Sequence, residues 1–126
     1  MSTVWPIVVI VATDAPLLPH QLDRLAGRVS LGIGLVGGRG GNESGDIFLA
    51  FSTANPGPMP QFAPALSQRQ ELNIELLDDL YLAAVQSIEE SVVNAMVAGE
   101  DVATVKPGGR TCRALDLNRL RQIFST

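Results

Sequence analysis

The 126-residue sequence predicts one domain in which strands and helices share a core, an α+β fold. Two apolar segments are typical of strands: a β-branched run from Ile7 to Ala12, and a second run from about Asp46 to Thr53. A third stretch, from Asp79 to Ala98, repeats apolar residues at helical spacing over a longer distance than any other segment. Both kinds of element therefore contribute to the interior.

The first half of the chain reads as strand, helix, loop and strand. The run from Ile7 to Ala12 does not alternate polar with apolar residues, so we expect both faces of this strand to be buried. Four apolar residues then recur at spacings of four, three and four and predict an amphipathic helix: Leu18, Leu22, Leu25 and Val29. The glycine-dense segment from Gly32 to Gly45 predicts a loop before the second strand.

The second half is dominated by the long helix. Residues 55–70 hold four prolines and no period, which predicts a surface loop. The segment from Leu72 to Leu76 is compatible with a short strand. We expect Asp78 or Asp79 to cap the long helix and Gly99 to end it.

Two further signals lie near the C-terminus. Pro107-Gly108-Gly109 predicts a tight turn, and Asp116 is placed to cap a short last helix from Leu117 to Phe124.

Composition excludes several classes of function. Nine Lys and Arg against 13 Asp and Glu give a net charge of −4, which argues against a nucleic-acid binder. A single cysteine, Cys112, permits neither an intrachain disulfide nor a multi-cysteine zinc site, and a single histidine, His20, excludes a two-histidine metal site. The residue counts therefore argue against such a metal site, and we also expect no metal or organic cofactor in the function. We expect His20 to be a solvated or capping side chain and Cys112 to be incidental.

Hydropathy bears on location and partners. The apolar run near the N-terminus is nine residues long, too short to span a bilayer, and neither Lys nor Arg precedes it. We therefore expect a cytoplasmic protein with no membrane association. A chain that is 46% hydrophobic and 17% charged is more apolar than a small monomer usually needs, which favours a surface covered by a partner.

Two short motifs suggest chemistry. Gly32, Gly34 and Gly37 spell the G-x-G-x-x-G dinucleotide pattern, but that pattern needs a strand before it and a helix after it, and the predicted order is the reverse. Nucleotide binding is therefore only a distant alternative. In Ser44-Gly45-Asp46, a hydroxyl and a carboxylate two residues apart at a strand start point to the same side and could form a short relay. Ordinary turn chemistry explains the same three residues.

Four segments occur in an order that is characteristic of one family. They are ATDAPLLPHQL at 12–22, RLAGRVSLGIG at 24–34, GNESGDIFLAFSTAN at 41–55 and SIEESVVNAMVAGE at 87–100. Together they resemble the C-terminal part of the L-aminopeptidase/D-esterase family, also called DmpA-type or β-peptidyl aminopeptidases. The resemblance implies an αββα sandwich of the N-terminal-nucleophile-hydrolase type, in which residues 1–126 form one domain and supply part of the sheet and helix layers.

The resemblance also implies an activity and a partner. Such enzymes are serine aminopeptidases that cut their own precursor before a serine, giving an α chain and a β chain that stay together. The freed serine is the nucleophile, and its own α-amino group, which titrates near pH 8, can act as the base. We expect an α-subunit-like partner, an oligomer, and small peptides, amides or esters as substrates.

The family's site residues match this chain at two positions out of three. Ser44 and Asp46 match the serine and the acidic residue that the family places beside the nucleophile. The nucleophile position itself is occupied by Pro6, which has no hydroxyl. Two functions follow as hypotheses: the β-subunit-like part of an aminopeptidase, inactive alone, or a catalytically inactive scaffold with the same fold.

Overall fold

Two six-residue strands, β1 (Val8–Thr13) and β2 (Ile47–Ser52), lie side by side in the computed structural model, which describes residues 6–42 and 44–125. They run parallel, with Val8 opposite Ile47 and Thr13 opposite Ser52. Parallel neighbours need a crossover connection, and helices α1 (Pro19–Gly27) and α2 (Val29–Leu35) provide it. Both predicted strands and the predicted first helix are confirmed.

The two faces of this sheet have different environments. On one face, Val11 and Ala50 pack against the helical core. On the other, the alternate side chains of both strands are largely exposed: Val8, Ile10, Ile47, Leu49 and Phe51. The expectation that β1 is buried on both faces is therefore wrong for this chain, because the buried helical residues pack against only one face of the sheet.

The core lies between this sheet and the long helix α3 (Leu77–Val97). Leu25 and Val29 from the first two helices are fully buried, and α3 contributes Leu77, Tyr81, Ala84 and Ile88 at helical spacing. The periodic stretch thus forms the predicted core helix. Among the described residues, no helix is both long and apolar enough to cross a membrane.

The start of α3 differs from the prediction. Asn73 caps a short 3₁₀ turn, Ile74–Leu76, by accepting a hydrogen bond from Glu75 N–H at 3.1 Å, and the turn runs directly into α3. The predicted strand at Leu72–Leu76 is therefore wrong. Asp78 and Asp79 lie inside the first turn of α3, where their charge favours the helix dipole, and neither is the N-cap.

Glycines at the start of the glycine-dense segment belong to a helix. Gly32 and Gly34 lie within α2, so the loop begins later than predicted. At Gly32 a Cβ would lie 2.8 Å from Ile88 Cβ and 2.9 Å from the Val85 carbonyl oxygen, so α2 crosses α3 at this glycine. This close contact between the two helices explains why glycine, which has a low helix propensity, occupies position 32.

The connection between β2 and α3 is held at both ends. Asn55 donates its side-chain amide to the Gln70 carbonyl at 3.0 Å and accepts the Gln70 N–H at 2.9 Å, closing the predicted proline-rich loop. Within the loop only a 3₁₀ turn, Pro60–Phe62, is regular. The fully buried Gln21 donates to the Leu72 carbonyl at 2.8 Å and accepts the Leu18 N–H at 3.0 Å, which fixes this connection to the start of α1.

The C-terminal segment contains a small hairpin and a helix. Strands β3 (Val102–Ala103) and β4 (Thr111–Cys112) pair antiparallel around the predicted turn at Pro107-Gly108-Gly109. Helix α4 (Leu117–Phe124) follows, and Asp116 caps it by accepting the N–H groups of Asn118 and Arg119, each at 3.0 Å. The turn and the cap are both confirmed.

Candidate functional site

The N-terminal ends of β1 and β2 bring together residues that are about 40 positions apart in the sequence. Ile47 N–H donates to the Ile7 carbonyl at 3.0 Å, and Ile7 N–H donates to Oδ1 of Asp46 at 3.0 Å. A Cβ placed on Gly45 would lie 3.7 Å from the Cβ of Pro6. The parallel register therefore sets Pro6 directly beside the Ser44-Gly45-Asp46 segment.

Asp46 carries a stabilised negative charge. The side-chain hydrogen bond from Ser44 and the backbone hydrogen bond from Ile7 lower the pKa of this carboxyl group, and desolvation opposes them less strongly. Asp46 is half-buried, and its carboxylate is ionised at neutral pH. Ser44 thus stabilises the charged form of Asp46, and the role of the two side chains as a relay stays a prediction.

The glycine-rich loop positions Ser44. Ser44 N–H donates to the Gly41 carbonyl at 2.8 Å, which closes a turn just before β2. Earlier in the loop, Gly38 N–H donates to the Ile33 carbonyl at 2.9 Å, and Gly40 has a positive φ of 56° that a side chain would disfavour. The glycines here serve a chain reversal between α2 and β2, and they do not precede a helix as a dinucleotide loop does.

An open cleft of about 280 Å³ lies over this segment. Its walls come from the start of β1, the end of α2, the glycine-rich loop and α3. The side chains that line it include Ile7, Ile33, Arg39, Ser44, Asp46 and Val92. The cleft thus combines an apolar wall with a carboxylate and a hydroxyl. Such a floor can hold a cationic amine and orient it by hydrogen bonds.

Pro6 limits what these groups can do on their own. Proline has no side-chain hydroxyl, and within a chain its nitrogen carries no hydrogen. Asp46 therefore bonds to the N–H of Ile7, the next residue along. Because Pro6 has no hydroxyl, Ser44 supplies a hydroxyl at the N-terminal ends of β1 and β2, and Asp46 supplies a negative charge there.

The other chemically reactive side chains lie elsewhere. His20, on α1, is exposed, and its Nε2 is 3.7 Å from a Glu71 carboxylate oxygen. Cys112, on β4, is an exposed free thiol. In residues 6–42 and 44–125, no three His, Cys, Asp or Glu side chains cluster closely enough to hold a metal ion. The structure brings neither His20 nor Cys112 to the cleft.

Arg39 is a cleft residue that the sequence reasoning did not single out. It lines the cleft together with Asp46 and is exposed at its rim. One signal could have identified it: Arg39 is the only cationic residue in the sequence between Arg28 and the second strand.

Solved structures establish the class of fold. The chain superposes with a TM-score of 0.88 and 51% identity on the L-aminopeptidase D-Ala-esterase/amidase of Ochrobactrum anthropi, described as a variant of the Ntn hydrolase fold. It superposes with a TM-score of 0.84 and 41% identity on a Burkholderia sp. β-aminopeptidase. Each match covers 95% of this chain and 33% or 34% of the solved one. The chain therefore supplies part of the sheet and helix layers of an N-terminal-nucleophile-hydrolase fold.

The sequence defines the family within that class. Residues 5–109 match the model of peptidase family S58, and the chain belongs to this family. It is 43% identical over 118 residues to the β-peptidyl aminopeptidase BapA of Sphingosinicella microcystinivorans, covering 94% of this chain. The chain spans about 29% of that relative's length. The resemblance drawn from the four sequence segments is confirmed.

Proposed function

We propose that this chain is the β-subunit-like part of a serine aminopeptidase, which removes N-terminal residues from small peptides, amides or esters when combined with an α-like chain. In this proposal Ser44 and Asp46 hold the substrate amine or polarise the nucleophile. Alone, the chain is inactive because Pro6 occupies the nucleophile position.

One observation carries the proposal. Pro6, Ser44 and Asp46 meet at the N-terminal ends of two paired strands, although Pro6 and Ser44 are 38 positions apart in the sequence. A carboxylate kept ionised beside a hydroxyl is suited to binding an ammonium group and to orienting an attacking oxygen. Membership of family S58 supports the same reaction class, acyl transfer to water.

The exposed sheet face supports the α-like partner. Val8 and Ile47 are 66% and 61% exposed, and Ile10, Leu49 and Phe51 extend the same apolar surface along both strands. A contiguous apolar face of this kind is typical of an interaction surface. Covering it with a second β layer would complete the αββα sandwich, and we propose that the α-like chain does so, within an oligomer.

Pro6 itself favours the second candidate, a catalytically inactive scaffold that keeps the fold and the interface. A proline at the nucleophile position removes the hydroxyl but leaves the hydrogen bond between Ile7 and Asp46 in place. The local structure of the site is therefore compatible with a protein that assembles but does not hydrolyse. The cytoplasmic location expected from the sequence stays a prediction under either candidate.

Enzyme assays separate the two candidates. This chain is produced together with an α-like chain of family S58, and the release of amine from a small aminoacyl amide is measured. Three versions are compared: the natural chain, a chain that begins with serine in place of Pro6, and the serine-initiated chain that also carries Ser44→Ala.

The aminopeptidase proposal predicts turnover for the serine-initiated version and a loss of about 100-fold with Ser44→Ala, the order expected for losing a stabilising hydrogen-bond donor. Complex formation without turnover in all versions would support the scaffold. Full rate in the Ser44→Ala version would remove Ser44 from the mechanism.

A further inference from the structure

Helix α4 buries none of its residues within the described part of the chain. Its apolar side chains Leu117, Leu120 and Phe124 recur at spacings of three and four, and Phe124 is 79% exposed. An open groove of about 430 Å³ lies against this helix, and all the residues that line it fall between positions 114 and 123. A helix of eight residues is only marginally stable in water unless it packs against another surface. The apolar stripe of α4 is therefore suited to a partner.

Arginines border this apolar stripe on both sides. Arg119 and Arg121 stand directly before and after Leu120, so a rotation of about 100° per residue places one of them on each edge of the stripe. Helix α4 carries no acidic residue. Around it, residues 101–126 hold five Lys or Arg against two Asp, whereas residues 1–100 hold four Lys or Arg against eleven Asp or Glu. A surface that fits α4 is therefore apolar along its centre and acidic at its edges.

The long helix α3 has such a surface on the side away from the core. Opposite its buried residues, Leu82 and Val93 are exposed, and Val97 continues the apolar stripe by one more turn. Glu89 and Glu90 lie one turn before Val93 and border it on both sides. Helix α3 contains four acidic residues and neither Lys nor Arg. These five exposed residues define the outer face of α3.

The two helices match in size and charge, and they do not satisfy each other within one chain. At about 1.5 Å per residue, α3 is about 31 Å long and α4 about 12 Å, so the outer face of α3 can accommodate the whole of α4. In residues 6–42 and 44–125, the ion pairs are His20–Glu71 and Arg113–Asp101, and neither pair joins α3 to α4. The complementary surface is therefore available to another copy of the chain.

We propose that α4 of one copy docks on the outer face of α3 of a second copy, with Arg119 and Arg121 facing Glu89 and Glu90. A reciprocal exchange between two copies covers both apolar stripes and gives a closed dimer. The match to the family model ends at residue 109, before α4, so the features that define the family do not include this contact. The contact does not depend on whether the chain serves an aminopeptidase or a scaffold.

Analytical ultracentrifugation of the full chain over a range of concentrations measures the association. We expect an equilibrium between monomer and dimer that weakens as salt is added, since the contact includes exposed ion pairs. Two charge-reversed chains are compared with the natural one. The first carries Arg119→Glu with Arg121→Glu, and the second carries Glu89→Arg with Glu90→Arg. Each alone is expected to dimerise about tenfold more weakly, because like charges then meet across the contact.

Mixing the two charge-reversed chains is the decisive step. In the mixture, α4 of each chain meets an outer face of opposite charge, so dimers are expected to form again between the two chains with about the natural affinity. Asp23→Arg, a charge reversal at an exposed position of α1, is the matched control and should leave the association unchanged. Circular dichroism checks that every variant keeps its helix content.

Three results would overturn the proposal. The first is a natural chain that stays monomeric at high concentration, including the case in which reversing α4 weakens assembly with an α-like chain instead, which would make that chain the occupant. The second is self-association that survives both reversals, which would assign it to another surface such as the exposed face of the sheet. The third is a mixture of reversed chains that does not regain the dimer.

Discussion

Alanine is expected to have opposite effects at Gly32 and Gly34, although both lie in α2. At Gly34, nothing lies within 4 Å of where a Cβ would stand, and the residue is exposed. At Gly32, which is buried, a Cβ would meet Ile88 Cβ at 2.8 Å and the Val85 carbonyl oxygen at 2.9 Å. Real Cβ atoms essentially never approach so closely, so α2 and α3 must separate.

The magnitudes follow from these distances. Glycine costs about 0.8–1 kcal/mol relative to alanine in a helix, so Gly34→Ala is expected to stabilise the chain by about that amount. Gly32→Ala gains the same propensity but overpacks the crossing, which costs about 1–3 kcal/mol. Both atoms that it meets are rigid: one is backbone, and the other is the branch point of Ile88. We therefore expect the overpacking cost to lie in the upper part of its range, which leaves a net loss of about 1–2 kcal/mol in the free energy of unfolding.

The assay is urea unfolding of the two variants and the natural chain, followed by circular dichroism. The expected result is a midpoint above the natural one for Gly34→Ala and below it for Gly32→Ala, with unchanged slopes. Equal stability of the two variants would refute the reasoning, because they differ only in what surrounds the new methyl group. A changed slope in Gly32→Ala would indicate that the variant exposes a different amount of surface on unfolding.

Two further predictions concern buried polarity and charge. Gln21→Ala leaves the Leu18 N–H and the Leu72 carbonyl without their side-chain hydrogen-bond partner. We expect the free energy of unfolding, measured by chemical denaturation, to fall by about 2–4 kcal/mol. A loss under about 1 kcal/mol would contradict the role of Gln21 in joining the start of α1 to the segment before α3. Because folding lowers the pKa of Asp46, its contribution to stability is fully present above the ordinary carboxyl range near pH 3.9 and is lost as the pH falls through the lower folded value. The stability gap between the natural chain and Asp46→Asn, measured by unfolding from pH 7 to pH 2.5, should therefore shrink toward low pH, and a gap that is constant over this range would refute the assignment.

Elements with a strong local signal could be predicted from the sequence. The periodicity of α3, the β-branched run of β1 and the cap at Asp116 each depend on neighbouring residues alone, and each was located to within two residues. The extent of α2 depends on a tertiary contact instead. Gly32 and Gly34 read locally as loop residues, whereas the crossing at Ile88 makes glycine the residue that fits the helix.

The candidate site shows the same division. Ser44 and Asp46 could be found because they are two residues apart at a strand start, and their link to Pro6 came from the family resemblance. Arg39 could not be assigned, because its position depends on how the glycine-rich loop folds back on Ile33. Likewise, Gln21 reads as a polar residue of an amphipathic helix, and only the structure reveals its bond to Leu72, 51 residues away.

Asp46 has two separable roles, and this separation governs how the site should be interpreted. Its bond to Ile7 N–H joins the starts of β1 and β2, which any protein with this fold would need, whether or not it hydrolyses peptides. Its charge, stabilised by Ser44, adds modestly to stability and is otherwise suited to a ligand or a nucleophile. Asp46→Asn keeps an oxygen that can accept the Ile7 bond but removes the charge, so it distinguishes the roles. If the chain is a scaffold, Asp46→Asn leaves assembly with an α-like chain intact and no measured property of the complex changes at neutral pH beyond a modest loss of stability. If the chain serves an aminopeptidase, the same substitution leaves assembly intact and abolishes recognition of the ligand's free amine. Acetylating that amine should abolish recognition by the natural chain in the same way.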